Sequence, residues 1–253
     1  MKYYSTNRNT PALSFKEAVV KGLPEDNGLF MPEKIPTLSA EFLGNIPQKS
    51  LQEIGIEVAK PFVGDDLTSS ELQSVVEETL SFEIPVVNVQ DNIDSLELFH
   101  GPTCAFKDVG ARFLARCLSH FSLEKDSVLV ATSGDTGSAV ASGFLGVPNV
   151  DVVILYPKGK VSHLQEQQLT TLGHNITALE IDGTFEDCQK MVKTAFLDKE
   201  LNLRLKLTSA HSINIARLIP QSFFYFWAMA QLSTEKEVYF SVPSGNYGNL
   251  TSG

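Results

Sequence analysis

Three short and almost wholly apolar runs, Ser127–Ala131, Asp151–Tyr156 and Ile176–Ile181, are separated by a small-residue helix and by a second helix near Ser162–Leu172. Strands that are apolar on both faces need a covering layer on each side, which is the habit of a parallel sheet with crossover helices. The same rhythm predicts strands at Ile84–Val89, Ser95–Phe99, Arg204–Thr208 and Val238–Val242. A helix is predicted over Lys107–Phe121, where Phe113, Leu114, Cys117, Leu118 and Phe121 share one face. Another starts at Thr184-x-x-Asp187, and a long apolar one covers Ser212–Leu232.

The first 85 residues read differently. Ser14-x-x-Glu17, Ser50-x-x-Glu53 and Thr68-x-x-Glu71 are helix-start signatures, and Pro32, Pro36 and Pro47 punctuate the loops between them. The expected fold class is therefore α/β. A mainly helical N-terminal region covers 1–85, an α/β region covers 86–253, and a smaller parallel-sheet domain lies at roughly 127–210. At 253 residues the chain suits one large domain or two smaller ones, at about 150 residues each. It stops at Gly253, just past a glycine loop where a helix should begin, so an incomplete large domain is expected.

A net charge of −10 disfavours duplex nucleic acid and anionic membranes as partners but allows a local pocket for a small anion. Three cysteines without a C-x-x-C pair indicate neither a disulfide framework nor a cysteine zinc site, and no metal is expected. The start lacks the apolar run of a signal peptide, and the longest apolar stretch, Phe223–Ala230, is too short to span a bilayer. The expected location is the cytoplasm.

Three segments carry chemistry. In His100–Gly110, Lys107 stands where a helix begins; the macrodipole opposes an ammonium there, and desolvation would favour the neutral amine that acts as a nucleophile. The neighbouring Asp108 pulls the other way, and a surface lysine at a helix start is the ordinary alternative. In Ala131–Ala139 a strand runs into a glycine turn and a helix, so backbone N–H groups and the hydroxyls of Thr132, Ser133 and Thr136 suit a carboxylate or phosphate. A tight turn explains the glycines equally well. Neither the dinucleotide fingerprint nor the phosphate-binding loop of NTPases is spelled, and nucleotide chemistry loses support. The third segment, Pro243–Asn249, also follows a predicted strand; its two glycines allow close backbone approach, with a simple turn as the alternative. Two such loops with a lysine between them suit a phosphorylated aldehyde cofactor, which needs both an amine and a phosphate cradle.

These segments, with Asp26–Pro32, Tyr156–Ser162 and Ser212–Arg217, resemble the threonine synthase family, whose members have the tryptophan-synthase β fold, fold type II of pyridoxal-phosphate enzymes. The resemblance runs over nearly the whole chain. It implies pyridoxal 5′-phosphate as cofactor, three layers around parallel sheets, and Lys107 as the lysine that holds the cofactor and shuttles protons. It implies Gly245, Asn246, Tyr247, Gly248 and Asn249 as the phosphate cradle and Asp135 near the ring hydroxyl. The implied reaction converts O-phospho-L-homoserine and water to L-threonine and phosphate, the last step of threonine biosynthesis. Ser133 and Thr136 are then candidates for the substrate carboxylate, and Lys158, Lys160 and Asn214 for its phosphate. His163 and His211 depart from the family pattern, where proline and asparagine are expected. Family members continue beyond this chain's last loop, so the chain reads as an N-terminal portion. The alternatives are another pyridoxal-phosphate lyase or dehydratase of the same fold, or a cofactor-binding module without turnover. A monomer and a homodimer remain open.

Overall fold

The computed structural model describes residues 1–121, 125–232, 237–245 and 247–253. Its N-terminal part holds a small antiparallel pair, β1 (Tyr3–Ser5) and β2 (Phe30–Pro32), with helices α1 (Phe15–Lys21), α2 (Ala40–Asn45), α3 (Leu51–Val63) and α4 (Ser69–Thr79). All three expected capping boxes form, each with the hydroxyl accepting from the third helical N–H and the acid reaching back to the cap N–H.

Next come β3 (Val86–Gln90) and β4 (Ile93–Leu96), then α5 (Lys107–Phe121), β5 (Asp126–Ala131) and α6 (Asp135–Phe144). They are followed by β6 (Val150–Pro157), α7 (His163–Thr170), β7 (Ile176–Ile181) and α8 (Phe185–Leu197). The chain closes with α9 (Lys199–Leu205), β8 (Leu207–Thr208), α10 (Ile215–Leu218), α11 (Phe223–Gln231) and α12 (Gly248–Thr251). A four-stranded parallel sheet runs in the order β7-β6-β5-β8. Strand side chains alternate between its faces. Val128, Val130, Val152 and Ile154 join the main core with α5 and α6, while Leu129, Ala131, Val153 and Leu155 meet Cys188 and Val192 of α8. The expected α/β layering, with helices on both faces of a parallel sheet, is what forms.

Four expectations are corrected. The two strands at 84–99 form an antiparallel hairpin apart from the parallel sheet, and Val87, Val89 and Ile93 are exposed on it. Only five residues separate the end of the first run from the start of the second, which allows a hairpin but no crossover helix. The predicted strand at 204–208 is shortened: Arg204 and Leu205 belong to α9, which Asp198 caps and Lys206 ends in a left-handed conformation, and two residues remain for β8. The single helix over 212–232 is broken into α10, a 3-10 turn at Ile219–Ser222 and α11, because Pro220 has no N–H to continue the ladder. Residues 238–242 form no strand, since among the described residues nothing pairs with them. No helix among the described residues is long and apolar enough to cross a membrane.

Candidate active site

Sheet order changes direction at β5: β6 and β7 are added on one side and β8 on the other. The crevice outside the carboxyl ends of the strands at such a point is where open α/β sheets bind ligands. The loop leaving β5 here is Thr132–Gly134. Thr132 is 1% exposed and its hydroxyl organises the turn, accepting from Gly134 N at 3.0 Å and Gly137 N at 2.8 Å and donating to Gly134 O at 3.0 Å. Gly134 has φ +150°, and a Cβ on Gly137 would lie 2.4 Å from Thr132 Cγ2, so both positions need glycine. Ser133 and Asp135 are left exposed at the start of α6, with Thr136 half-buried beside them.

Lys107 is the first residue of α5. Asp108, expected to bear on it, is instead buried and accepts from Thr103 N at 2.9 Å and Thr103 Oγ1 at 2.6 Å, closing the loop that leads into the helix. The carboxylate that meets Lys107 comes from the other loop: Asp135 Oδ2 is 3.6 Å from Lys107 Nζ. Asp135 Oδ1 also accepts from Gln165 Nε2 at 2.6 Å. The two segments singled out in the sequence thus meet through this ion pair, and Asp135 is also held by a residue of α7 that sequence reasoning passed over.

Beside this pair lies a cleft of about 1530 Å³ between the β3–β4 hairpin, the loop before Lys107, α11 and residues 237–243. Phe106, Asp135 and Asn249 all line it. The last glycine loop ends in α12, whose cap Tyr247 is left-handed, with φ 57°. Asn249 Oδ1 meets Ser244 Oγ, its amide donates to Pro243 O at 2.9 Å, and its carbonyl accepts from Tyr225 OH at 2.7 Å. A Cβ at Gly245 or Gly248 would meet nothing within 4 Å, so the loop has open space beside its backbone. Asn246, expected in the cradle, lies outside the described residues.

Lys158 and Lys160 stand on the loop after β6; Lys158 is exposed and lies 4.0 Å from Glu180. Asn214 is different from expectation. It is 1% exposed, donates to Val19 O and Ser209 O, and accepts from Ala216 N, so its amide caps α10 and has no free donor for a substrate phosphate.

Arg217 ends the Ser212–Arg217 segment, and its sequence context alone assigns it no role. It is buried and donates to Ala210 O at 2.7 Å, just past the carboxyl end of β8. Its Nε has no hydrogen-bond partner and no carboxylate pairs with it among the described residues. Burial pushes the guanidinium down to about 10. A lone cation inside the apolar run Ile215–Pro220 was the available signal. Gly110, one turn after Lys107, lets α10 come this close, since a Cβ there would be 3.0 Å from Arg217 O.

Comparison with known proteins agrees with this arrangement. A family model for the threonine synthase N terminus matches residues 2–80, and one for pyridoxal-phosphate dependent enzymes matches residues 96–252. The threonine synthase of Escherichia coli strain K12 is 46% identical over 256 residues, covering 100% of this chain and 60% of that protein. That of Pseudomonas aeruginosa is 38% identical, covering 100% of this chain and 56% of that protein. Among solved structures, threonine synthase from Escherichia coli superposes with a TM-score of 0.92 at 46% identity over 100% of this chain and 60% of that one. Pyridoxal-phosphate-bound threonine synthase from Brucella melitensis gives 0.94 at 40% identity over 100% of this chain and 56% of that one. The chain therefore spans 56% to 60% of the length of these relatives. Because the second family model spans more than half of the chain and coincides with the lysine, the glycine turns and the parallel sheet, the protein belongs to the pyridoxal-phosphate-dependent enzymes.

Proposed function

We propose that this chain carries the cofactor lysine and much of the substrate site of a threonine synthase, a cytoplasmic enzyme converting O-phospho-L-homoserine and water to L-threonine and phosphate. The observation that carries the reading is the meeting of Lys107 and Asp135 at the carboxyl ends of parallel strands, in a chain that is similar to threonine synthases along its whole length.

The residues present fit pyridoxal 5′-phosphate. One amine lies 3.6 Å from a carboxylate that lines the cleft, and a glycine loop on the same cleft leaves room beside its backbone. Lys107 would hold the cofactor through its amine, Gly245, Asn246, Tyr247, Gly248 and Asn249 through its phosphate, and Asp135 from the ring side. When bound, the cofactor supplies an electron sink for charge developing on substrate carbon.

The chain's own groups do the rest. Lys107 Nζ is the base that takes a proton from substrate carbon and the acid that returns one. Asp135 keeps the ammonium form paired and aimed. Ser133 and Thr136, at the opening of α6, offer hydroxyls to the substrate carboxylate. Lys158 and Lys160 supply positive charge for the substrate phosphate. The Arg217 guanidinium, which no carboxylate meets among the described residues, is a further candidate for an anionic group, since a buried cation without a carboxylate favours an anion that reaches it.

The test incubates the chain with pyridoxal phosphate, reduces with borohydride, and locates the tag by mass spectrometry. O-phosphohomoserine is then supplied to unreduced protein. In any turnover, threonine and inorganic phosphate are expected in equal amounts; turnover of serine or threonine without phosphate release would point to another lyase of the family.

A further inference from the structure

Gln165 links two structural roles that are usually separate. As the third residue of α7 it completes a capping box with Ser162: its backbone N–H donates to Ser162 Oγ at 3.3 Å, and its side-chain oxygen accepts from Ser162 N at 3.3 Å and Ser162 Oγ at 3.0 Å. With its oxygen held in this way, its Nε2 is directed at Asp135 Oδ1, 2.6 Å away. The amide also lies over Gly134, where a Cβ would come within 2.7 Å of Nε2.

The chain has five capping boxes among its described residues, and four use an acid at the third position: Glu17, Glu53, Glu71 and Asp187. Only the box that faces Asp135 uses a neutral amide. A carboxylate would cap α7 as well, but it would set a second negative charge against Asp135 and remove the N–H that Asp135 accepts.

We propose that Gln165 is a positioning residue for the Lys107–Asp135 pair, fixing the Asp135 carboxylate from the cap of α7 and keeping its second neighbour uncharged. The Asp135 carboxylate is approached by Lys107 from α5 and by the neutral Gln165 from α7, while Asp108 is turned toward Thr103. The proposal rests on the reading of Lys107 as the cofactor lysine, but its test does not need cofactor.

The experiment acylates the cofactor-free chain at pH 8 with a water-soluble succinimidyl ester and follows Lys107 against the exposed Lys34 by peptide mass spectrometry. Gln165→Glu is expected to slow acylation of Lys107 about threefold to tenfold, because a second carboxylate holds the ammonium form. Its thermal midpoint should stay within about 2 °C of the parent, because the capping box survives. In Asp135→Asn/Gln165→Glu the single negative charge is restored with its polarity exchanged, and the rate should return to within about twofold of the parent. An unchanged rate in Gln165→Glu would leave Gln165 as a cap alone and overturn the proposal. Slowing without rescue in the double variant would also overturn it, since the new charge would then act on Lys107 without Asp135. If the cofactor reading itself is wrong, borohydride leaves Lys107 of the parent untagged whatever the acylation rates are.

Discussion

Lys107 Nζ and Asp135 Oδ2 lie 3.6 Å apart although each opens a different helix and they stand 28 positions apart in sequence. The contact exists because α5 and α6 pack side by side with their N-termini at the same end of the sheet. Lys107→Ala should therefore abolish the borohydride-fixed cofactor tag and all turnover while leaving the fold intact. Peptide mapping checks it; a tag of equal yield on another lysine in the variant would remove Lys107 from its role.

Thr132 is the keystone of the first glycine turn, with one buried hydroxyl serving two N–H donors and one carbonyl. Thr132→Val keeps the shape and removes the hydroxyl, and is expected to lower stability by about 2–3 kcal/mol, since buried donors are left unpaired. Thr132→Ser should recover most of that loss. Urea titration of the three chains measures it, and equal midpoints for Val and Ser would contradict the assignment.

His211 is mostly enclosed, and burial, with the Arg217 charge beside it, pushes its imidazole down to about 4 from an ordinary value near 6.5. The folded protein thus binds fewer protons here than the unfolded chain does. The resulting stabilisation is complete above about pH 6.5 and is lost as pH falls through about 4, on the order of 3 kcal/mol. Denaturation at a series of pH values should show this slope, and His211→Gln should flatten it between pH 4 and 6.5.

Asn214 is the clearest case of a residue whose structural engagement replaces an expected substrate contact. Asn214→Ala removes two buried donations and the cap of α10, with an expected cost of about 2–3 kcal/mol. An unchanged unfolding midpoint combined with weaker substrate binding would restore Asn214 to the substrate site.

The helix starts and the buried sheet were legible because they rest on local chemistry. Ser14, Ser50, Thr68 and Thr184 cap their helices with partners three residues away, and the alternating burial of β5 and β6 follows from runs that are apolar on both faces. The misread segments depend on what lies opposite. Residues 84–99 pair with each other and not with the sheet, and 238–242 find no pairing strand among the described residues, since a strand is a paired state and its sequence does not name the partner.

By itself, then, the sequence determined which residues could do chemistry: a lysine at a helix start, two glycine turns, and the class of fold that would carry them. Tertiary structure decided how those residues are used. It turned Asp108 toward Thr103, brought Asp135 to Lys107, fastened Asp135 to Gln165 across 30 residues, and committed Asn214 to a helix cap while leaving Arg217 without a carboxylate among the described residues. The reason is physical. Caps and periodicity are settled within one or two turns of chain, whereas the partner of a charge is whichever group the packing of distant helices brings within about 4 Å.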